Sequence, residues 1–440
     1  MRHCDILIHG KYIVTQDAQR SILTNASLAI AQGCILALGP TKELCKEYQA
    51  KQTLDYHQDL ILPGLINAHT HVAMTFLRGF ADDLPLMTWL EQKVFPLEAQ
   101  ISPEIVQVSA LLGFAEMLAT GTTAALDMYL FEEEVLKAAE CAGIRLACGE
   151  GLFQFPSCSS PSWQSAIETN LCLAERCKKS TRLYCMLSPH SIYTTTKEIL
   201  QTSLNIAAEY HLPIHIHLAE SSTEVQKSLE LYNLRPIEYC QSVGLFEHPT
   251  TLAHMVEVSE DEYQILKNAH DTVIVHNPTS NLKLASGIAP VSAFLAKNLP
   301  VALGTDGAAS NNQLNMFAEM KLATLLQKIS QKNTQSLSAQ SVLDLATING
   351  ARAFHQPDLG SLACGKRADL TVLSLNSPNL QPLYVPTSHL VYAATGHEVI
   401  LTMVEGEILY DHGRFLRFNY MDLLRQMEEI KTFVLKKAKK

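Results

Sequence analysis

The chain has 440 residues, 47% hydrophobic, 18% charged and 7% aromatic, the make-up of an ordinary globular protein with room for two or three domains, or a barrel plus an addition. Forty-four acidic against thirty-four basic side chains leave a formal charge of −10, which argues against nucleic acid as a partner. Eleven cysteines, an odd number without a Cys-x-x-Cys pair, are too dilute for a disulfide scaffold and read as free thiols in a reducing compartment. The opening MRHCDILIHGKYIVTQD lacks the apolar core of a secretion signal, and no run of 18 apolar residues occurs. A cytoplasmic protein without a membrane partner is expected. Seventeen histidines against two tryptophans is the count that points to chemistry.

The first sixty residues read as short strands at 5–8, 12–15, 27–30 and 35–38, punctuated by Gly10, Gly33 and Gly39. From about residue 60 to 355 the texture changes. Short apolar runs alternate with helical patterns at 104–119, 198–210, 224–243 and 315–329. The runs end at Asn67-Ala68-His69, Ala125-Leu126-Asp127, Ala147-Cys148-Gly149, Leu187-Ser188-Pro189-His190, His215-Ile216-His217-Leu218, Leu252-Ala253-His254, Val275-His276-Asn277 and Gly304-Thr305-Asp306. Eight strands alternating with helices is the count of a (β/α)8 TIM-like barrel. A doubly wound open sheet would call for a glycine-rich phosphate loop after an early strand, and none is present.

Strand texture returns at 368–373, 399–404 and 407–410. The α/β barrel is therefore expected to carry a small β-sandwich domain formed by both termini: residues 1–61, then the barrel at 62–356, then 357–440 with a C-terminal helix. That helix, over 421–440, spaces Leu423, Leu424, Met427, Ile430, Phe433 and Val434 helically, and its basic end (Lys436, Lys437, Lys439, Lys440) reads as a solvated terminus. Residues 360–367 (GSLACGKR) approach a phosphate loop, but Arg367 stands where Ser or Thr must be and a strand follows, so a turn is expected. Asn25-Ala26-Ser27 matches a glycosylation acceptor, which carries no weight without a secretion signal.

Barrel chemistry sits at the C-terminal strand ends. His69 and His71 lie two apart, so both imidazoles can point to one side of the chain. His215 and His217 repeat the spacing, with Glu220 three residues on; His254 ends the sixth strand and Asp306 follows the eighth. His69, His71, His217 and Asp306 make a donor set suited to one borderline divalent ion, with zinc expected and iron(II) or manganese(II) as alternatives. Such an ion brings the pKa of a water from ~15.7 towards ~7, next to Glu220 as a candidate proton carrier.

These residues stand in PGLINAHTHVAMTFLRGFADDLPLMTWL, SPHS, HIHLAES, LAHMV, HNPTSNLKLASGIAPV, LGTDGAASNNQLNMFAEM and GSLACGKRADLTVL, and across nearly its whole length the chain resembles the mononuclear-metal branch of the amidohydrolase superfamily. Within it the chain is similar to 5-methylthioadenosine/S-adenosylhomocysteine deaminases and chlorohydrolase-like relatives. The resemblance implies a metal-dependent aminohydrolase with His69, His71, His217 and Asp306 as ligands. It implies that His254 orients the attacking water, Glu220 protonates the purine ring, His190 reaches the purine and Glu98 holds ribose hydroxyls. His215 has no role in that pattern, and His276 is either a substrate contact or a support for the Asn277-Pro278 turn. The implied reaction is hydrolytic deamination of an adenine nucleoside: water adds at C6, Asp306 accepts its proton, and ammonia leaves. The fourth strand has no lysine of the kind that bridges two metals, so one ion is implied. Every expected ligand position is filled, unlike in a decayed, non-catalytic barrel.

The departures concern the substrate. Glu150 stands where homocysteine-accepting relatives place an arginine, and the loop 155–166 has no basic residue. A carboxylate would depend on Arg182, Arg235 or a neighbouring subunit in a homo-oligomer. Alternatives on the same fold are aminodeoxyfutalosine deamination, guanine or pterin deamination, and triazine-type hydrolysis; Glu98 favours a nucleoside over a free base.

Overall fold

The computed structural model describes residues 1–84 and 86–438. The N-terminal part contributes β1 (Arg2–Val14), β2 (Ile22–Ala31), β3 (Cys34–Pro40) and β4 (Tyr48–Pro63). The middle supplies β5 (Leu65–Thr70), β6 (Thr122–Tyr129), β7 (Arg145–Leu152), β8 (Leu183–Cys185), β9 (Ser188–Pro189), β10 (Ile214–Leu218), β11 (Thr250–His254), β12 (Thr272–His276) and β13 (Val301–Leu303). The C-terminal part adds β14 (Leu370–Leu373), β15 (Val399–Val404), β16 (Glu407–Asp411) and β17 (Arg414–Phe415).

The middle strands form the eight-stranded parallel barrel. Two parallel arcs, β5-β6-β7-β8 and β10-β11-β12-β13, carry most of the wall. Parallel bridges from Leu187 to Ile214 and from Ser191 to His217 join them on one side. On the other side the Asp306 amide donates to the His69 carbonyl at 3.0 Å. Strands β5, β6, β7 and β10 to β13 are buried along their whole length, as parallel strands sheathed by helices must be. The helices Pro103–Ala119, Lys197–Tyr210 and Met316–Ser330 match their apolar spacing in the sequence. The expected helix over 224–243 is instead two, Ser222–Tyr232 and Pro236–Ser242. Asn233, at φ 54°, ends the first and Pro236 opens the second, since proline suits a first helical turn but not an interior.

The outer sheet runs β17-β16-β15-β14-β4-β1-β2-β3, so both termini build the β-sandwich. Ile8, Ile13, Leu28, Ile30 and Ile35 share one apolar cluster with Val372, Leu401 and Met403, packing the two ends together. Two sequence expectations change here. Segments 5–8 and 12–15 are one strand, because Gly10 marks only a register shift, where a Cβ would come 2.8 Å from Ile61 Cδ1. Strand β4, which crosses residue 61, was not anticipated over 48–58, where exposed polar residues hide the pairing with β1.

Residues 360–367 form the expected turn, with Gly360 and Gly365 at positive φ and Arg367 paired to Asp358 and Glu405. The C-terminal helix spans Tyr420–Lys437; Lys439 and Lys440 lie outside the described residues. All eleven cysteines are free. Among the described residues no single helix is long and apolar enough to cross a membrane. Sandwich and barrel are tied by a fully buried Arg145, whose guanidinium grips both oxygens of Asp369 at 2.9 and 3.1 Å.

Candidate active site

The strand ends bring His69, His71, His217, His254 and Asp306 to one spot. Two overlapping groups of donor atoms, from His69, His71 and His217 and from His69, His254 and Asp306, each lie within 4.8 Å of one another. His71 Nε2 is 3.2 Å from His217 Nε2, and Asp306 Oδ1 is 3.3 Å from His71 Nε2 and 3.6 Å from His69 Nε2.

Each imidazole is anchored by its other nitrogen. His71 Nδ1 pairs with the Met128 carbonyl, His217 Nδ1 with the His190 carbonyl at 2.7 Å, and His254 Nδ1 with Asn281 Oδ1 at 2.8 Å. A carbonyl oxygen can only accept, so the proton resides on Nδ1 and the Nε2 lone pairs of His71 and His217 face the centre. His69 Nδ1 contacts His215 Nε2 at 2.9 Å, while His69 Nε2 is buried without a hydrogen-bond partner. Burial lowers the pKa of His69 to about 4 and takes those of His215 and His217 well below the ordinary value. The two Nε2 atoms, 3.2 Å apart with each ring's other nitrogen committed to a carbonyl, are well placed to share a cation. These residues fit a metal ion.

Asp306 follows β13 at φ 61°, and His254 sits at φ 77°. Such backbone is uncommon without glycine and occurs where surrounding contacts over-determine it. Burial opposes the Asp306 charge, but His69, His71 and His254 outweigh it and hold the carboxyl well below its usual range. Its Oδ1 accepts the Gly307 amide at 2.7 Å, and Oδ2 accepts Ser280 and Ser310 hydroxyls at 2.6 and 3.0 Å. Burial disfavours the charged form of His254, yet Glu220 and Asp306 raise its pKa overall.

Beside the cluster opens a cleft lined by polar and apolar side chains. Glu220, His190 and Glu98 line it together with His71, His217, His254 and Asp306. Glu220 and Glu98 are buried, and burial raises both carboxyls above the ordinary value. Glu98 accepts the Tyr129 hydroxyl at 2.7 Å. His190, lowered to about 3 by burial, is neutral and pairs with Thr194 Oγ1 at 2.9 Å.

Other residues fall elsewhere. His215 is buried behind His69, and His276 lies outside the cleft lining with neither ring nitrogen partnered. Glu150 does not face the cleft either; it accepts the amides of Phe131 and Glu132 at 3.3 and 2.8 Å and so caps a helix start. Arg182 is held by Glu405, Glu407 and the Gly143 carbonyl, and Arg235 by Glu262 and the Glu257 carbonyl. Neither arginine is among the residues that line the cleft.

The structure adds residues that the motif reading passed over. Glu224 accepts the amides of Ala219 and Glu220 at 3.1 and 2.7 Å and so fixes the segment carrying Glu220. Its signal was present as Ser221-x-x-Glu224, a capping-box spacing, and Ser221 does cap the helix. Ser280 and Asn281 stand in the short helix Pro278–Lys283 and meet Asp306 and His254 from 26 and 27 residues away, so spacing cannot reveal them.

A parallel barrel with a convergent imidazole–carboxylate cluster at its strand ends defines the class as barrel enzymes that work around a metal ion. The model of the amidohydrolase family matches residues 60–409, and the chain belongs to that family. It is 53% identical over 434 residues to a 5-methylthioadenosine/S-adenosylhomocysteine deaminase of Lawsonia intracellularis, covering 99% of this chain and 98% of that one. A zinc-bound adenosine deaminase of Xanthomonas campestris superposes with a TM-score of 0.97 at 32% identity, covering 99% of both chains. A zinc complex of an atrazine chlorohydrolase of Arthrobacter aurescens shares the fold, with a TM-score of 0.91 at 23% identity over 97% of this chain and all of that one.

Proposed function

We propose that the chain is a metal-dependent aminohydrolase that converts an adenine nucleoside of the adenosine, methylthioadenosine or adenosylhomocysteine type to its inosine form plus ammonia. The observation that carries this is one cleft holding the imidazole–carboxylate cluster with two buried acids, Glu220 and Glu98. The adenosine deaminase likeness and the deaminase relatives support it. His69, His71, His217 and Asp306 would hold the ion, zinc by the chemistry of the donor set and by the zinc-bound neighbour. Once bound, the ion acidifies a water and makes it nucleophilic at neutral pH.

The chain's own groups do the rest. Glu220, whose pKa burial raises, delivers a proton to the purine ring nitrogen as the attacking oxygen closes on C6. Asp306, held ionised, takes one of the water's protons and passes it to the departing amine, and the other leaves the C6 oxygen for Glu220 as the carbonyl forms, so ammonia leaves neutral. His254, tethered by Asn281, orients the water, and neutral His190 meets the purine from β9. Glu98, steadied by Tyr129, accepts ribose hydroxyls. In this reading residues 62–356 are the catalytic unit and the terminal segments its frame, in a cytoplasmic enzyme without nucleic-acid or membrane partners.

The test is ammonia release by the metal-replete protein from adenosine, methylthioadenosine, adenosylhomocysteine, guanine and cytosine. Turnover of the nucleosides is expected. Activity confined to the free bases refutes the proposal.

A further inference from the structure

Glu319 stands outside the cleft lining, in the first turn of the helix Met316–Ser330, yet its side chain is buried and its partners lead to the site. Oε1 accepts the Thr279 hydroxyl at 2.6 Å and Asn311 Nδ2 at 2.9 Å, and Oε2 accepts the Thr279 amide at 3.1 Å. Thr279 belongs to the short helix Pro278–Lys283, which has no side-chain cap from its own Asn277. The next two residues of that helix serve the cluster: Ser280 donates to Asp306 Oδ2 at 2.6 Å, and Asn281 meets His254 Nδ1 at 2.8 Å. Asn311 lies five residues beyond Asp306, and its Nδ2 also donates to the Thr305 carbonyl at 2.7 Å.

One carboxylate thus grips both the helix that steadies His254 and Asp306 and the turn on which Asp306 is built. Asp306 and His254 stand at φ 61° and 77°, backbone that persists only where surrounding contacts hold it. Three donors converge on Glu319, so it fits there as an ionised acceptor. An amide of the same shape would set its own N–H against at least one of them. Burial pushes the carboxyl up to about 7, with the Thr279 and Asn311 donors opposing.

We propose that Glu319 is a positioning residue for the deamination: by clamping Thr279 and Asn311 it fixes Asp306 and the His254 ring relative to one another, without itself touching the substrate. The proposal rests on the deamination reading above. Misplacing a catalytic group by about 1 Å costs about 100-fold in rate, whereas Glu98 and His190, the proposed substrate contacts, are not held by this clamp. Loss of Glu319 therefore falls on kcat and spares KM.

The experiment compares wild type, Glu319→Gln, Ser280→Ala and the double variant at about pH 8, where the Glu319 carboxylate is ionised. Steady-state kinetics of the zinc-loaded proteins on methylthioadenosine should give a kcat lower by about 10–100-fold in Glu319→Gln, with KM within about twofold of wild type. The double variant should fall short of the product of the two single losses by about threefold or more, because both act on Asp306 through one helix. Amide hydrogen exchange of the metal-free proteins should speed up in segments 278–283 and 305–312 of Glu319→Gln and stay unchanged in β6 and β7. Thr279→Val, which removes only the hydroxyl contact, is the milder variant should Glu319→Gln not fold, and should lose about 3–10-fold in kcat. Wild-type kcat in both variants, fully multiplicative losses in the double, or faster exchange throughout the barrel each overturn the clamp. A wild-type protein inactive on adenosine, methylthioadenosine and adenosylhomocysteine refutes the deamination reading instead, and the exchange result then still decides whether Glu319 holds the two segments.

Discussion

Replacing Gly304 by alanine should disable the proposed metal site without substituting any of its ligands. Gly304 lies directly after β13, against the backbone of β5, and an alanine Cβ would stand 2.8 Å from the His69 nitrogen and oxygen and 2.9 Å from its Cβ. Ordinary contact begins at 3.4 Å, so the two strands would have to part by about 0.6 Å. Backbone atoms on both sides leave no flexible side chain to yield. The parting falls where the Asp306 amide donates to the His69 carbonyl, which sets the spacing of two proposed ligands. Metal sites tolerate about 0.2 Å in ligand distance, and overpacking of this kind costs about 1–3 kcal/mol. We expect a 10–100-fold loss of zinc affinity, the scale seen when supports of metal ligands are removed, and a larger loss of kcat. Zinc affinity by competition with a chelator, alongside the unfolding midpoint of the metal-free protein, measures both. A Gly304→Ala protein with wild-type zinc affinity and turnover would refute the claim that strand contact sets the ligand spacing.

Other consequences can be measured separately. Asp369→Ala leaves the fully buried Arg145 without its carboxylate and should cost about 3–5 kcal/mol in urea unfolding. The pair Arg145→Met with Asp369→Leu should recover most of that; a single variant as stable as wild type contradicts the burial argument. Burial raises the Glu220 carboxyl above its ordinary value, so its proton is present below that pKa and lost as pH rises through it. The rate should therefore fall on the alkaline side, and Glu220→Gln should lose about 10²–10⁴-fold in kcat with zinc content unchanged, whereas full activity in that variant would dismiss the proton-carrier role. Glu224→Ala strips acceptors from two buried amides at Ala219 and Glu220, at about 1–3 kcal/mol each, and should lower kcat more than zinc content. Equal losses of both would mean that Glu224 supports the whole barrel and not the Glu220 segment.

The barrel and most of its site were legible because their signals are local. Buried parallel strands must be apolar runs, helices must show their 3.6 period, and the runs end in the chemistry that a barrel displays there. Two histidines on alternate residues share a side of the chain, so His69 and His71 could be paired from spacing alone. The same rule failed to separate His215 from His217. Spacing places both towards the barrel interior, and only the depth of each along β10 sends one to the cleft and the other behind His69. Glu150, which the resemblance sets where relatives place an arginine, turns its carboxylate to two amides of a neighbouring helix start, a pairing no local pattern announces.

The sequence by itself therefore determined the alternation of strands and helices, the donor types and their order along the chain, because each depends on neighbours within a few residues. Only the tertiary structure decided what depends on groups far apart in sequence. It closed β13 onto β5 so that Asp306 meets His69, and it fixed each tautomer through Met128, His190 and Asn281. It also committed Arg182 and Arg235 to ion pairs, and among the described residues no lysine or arginine lines the cleft. The charge balance of −10 gave no hint of that last point, since where a charge is buried, and against what, is set by packing and not by composition.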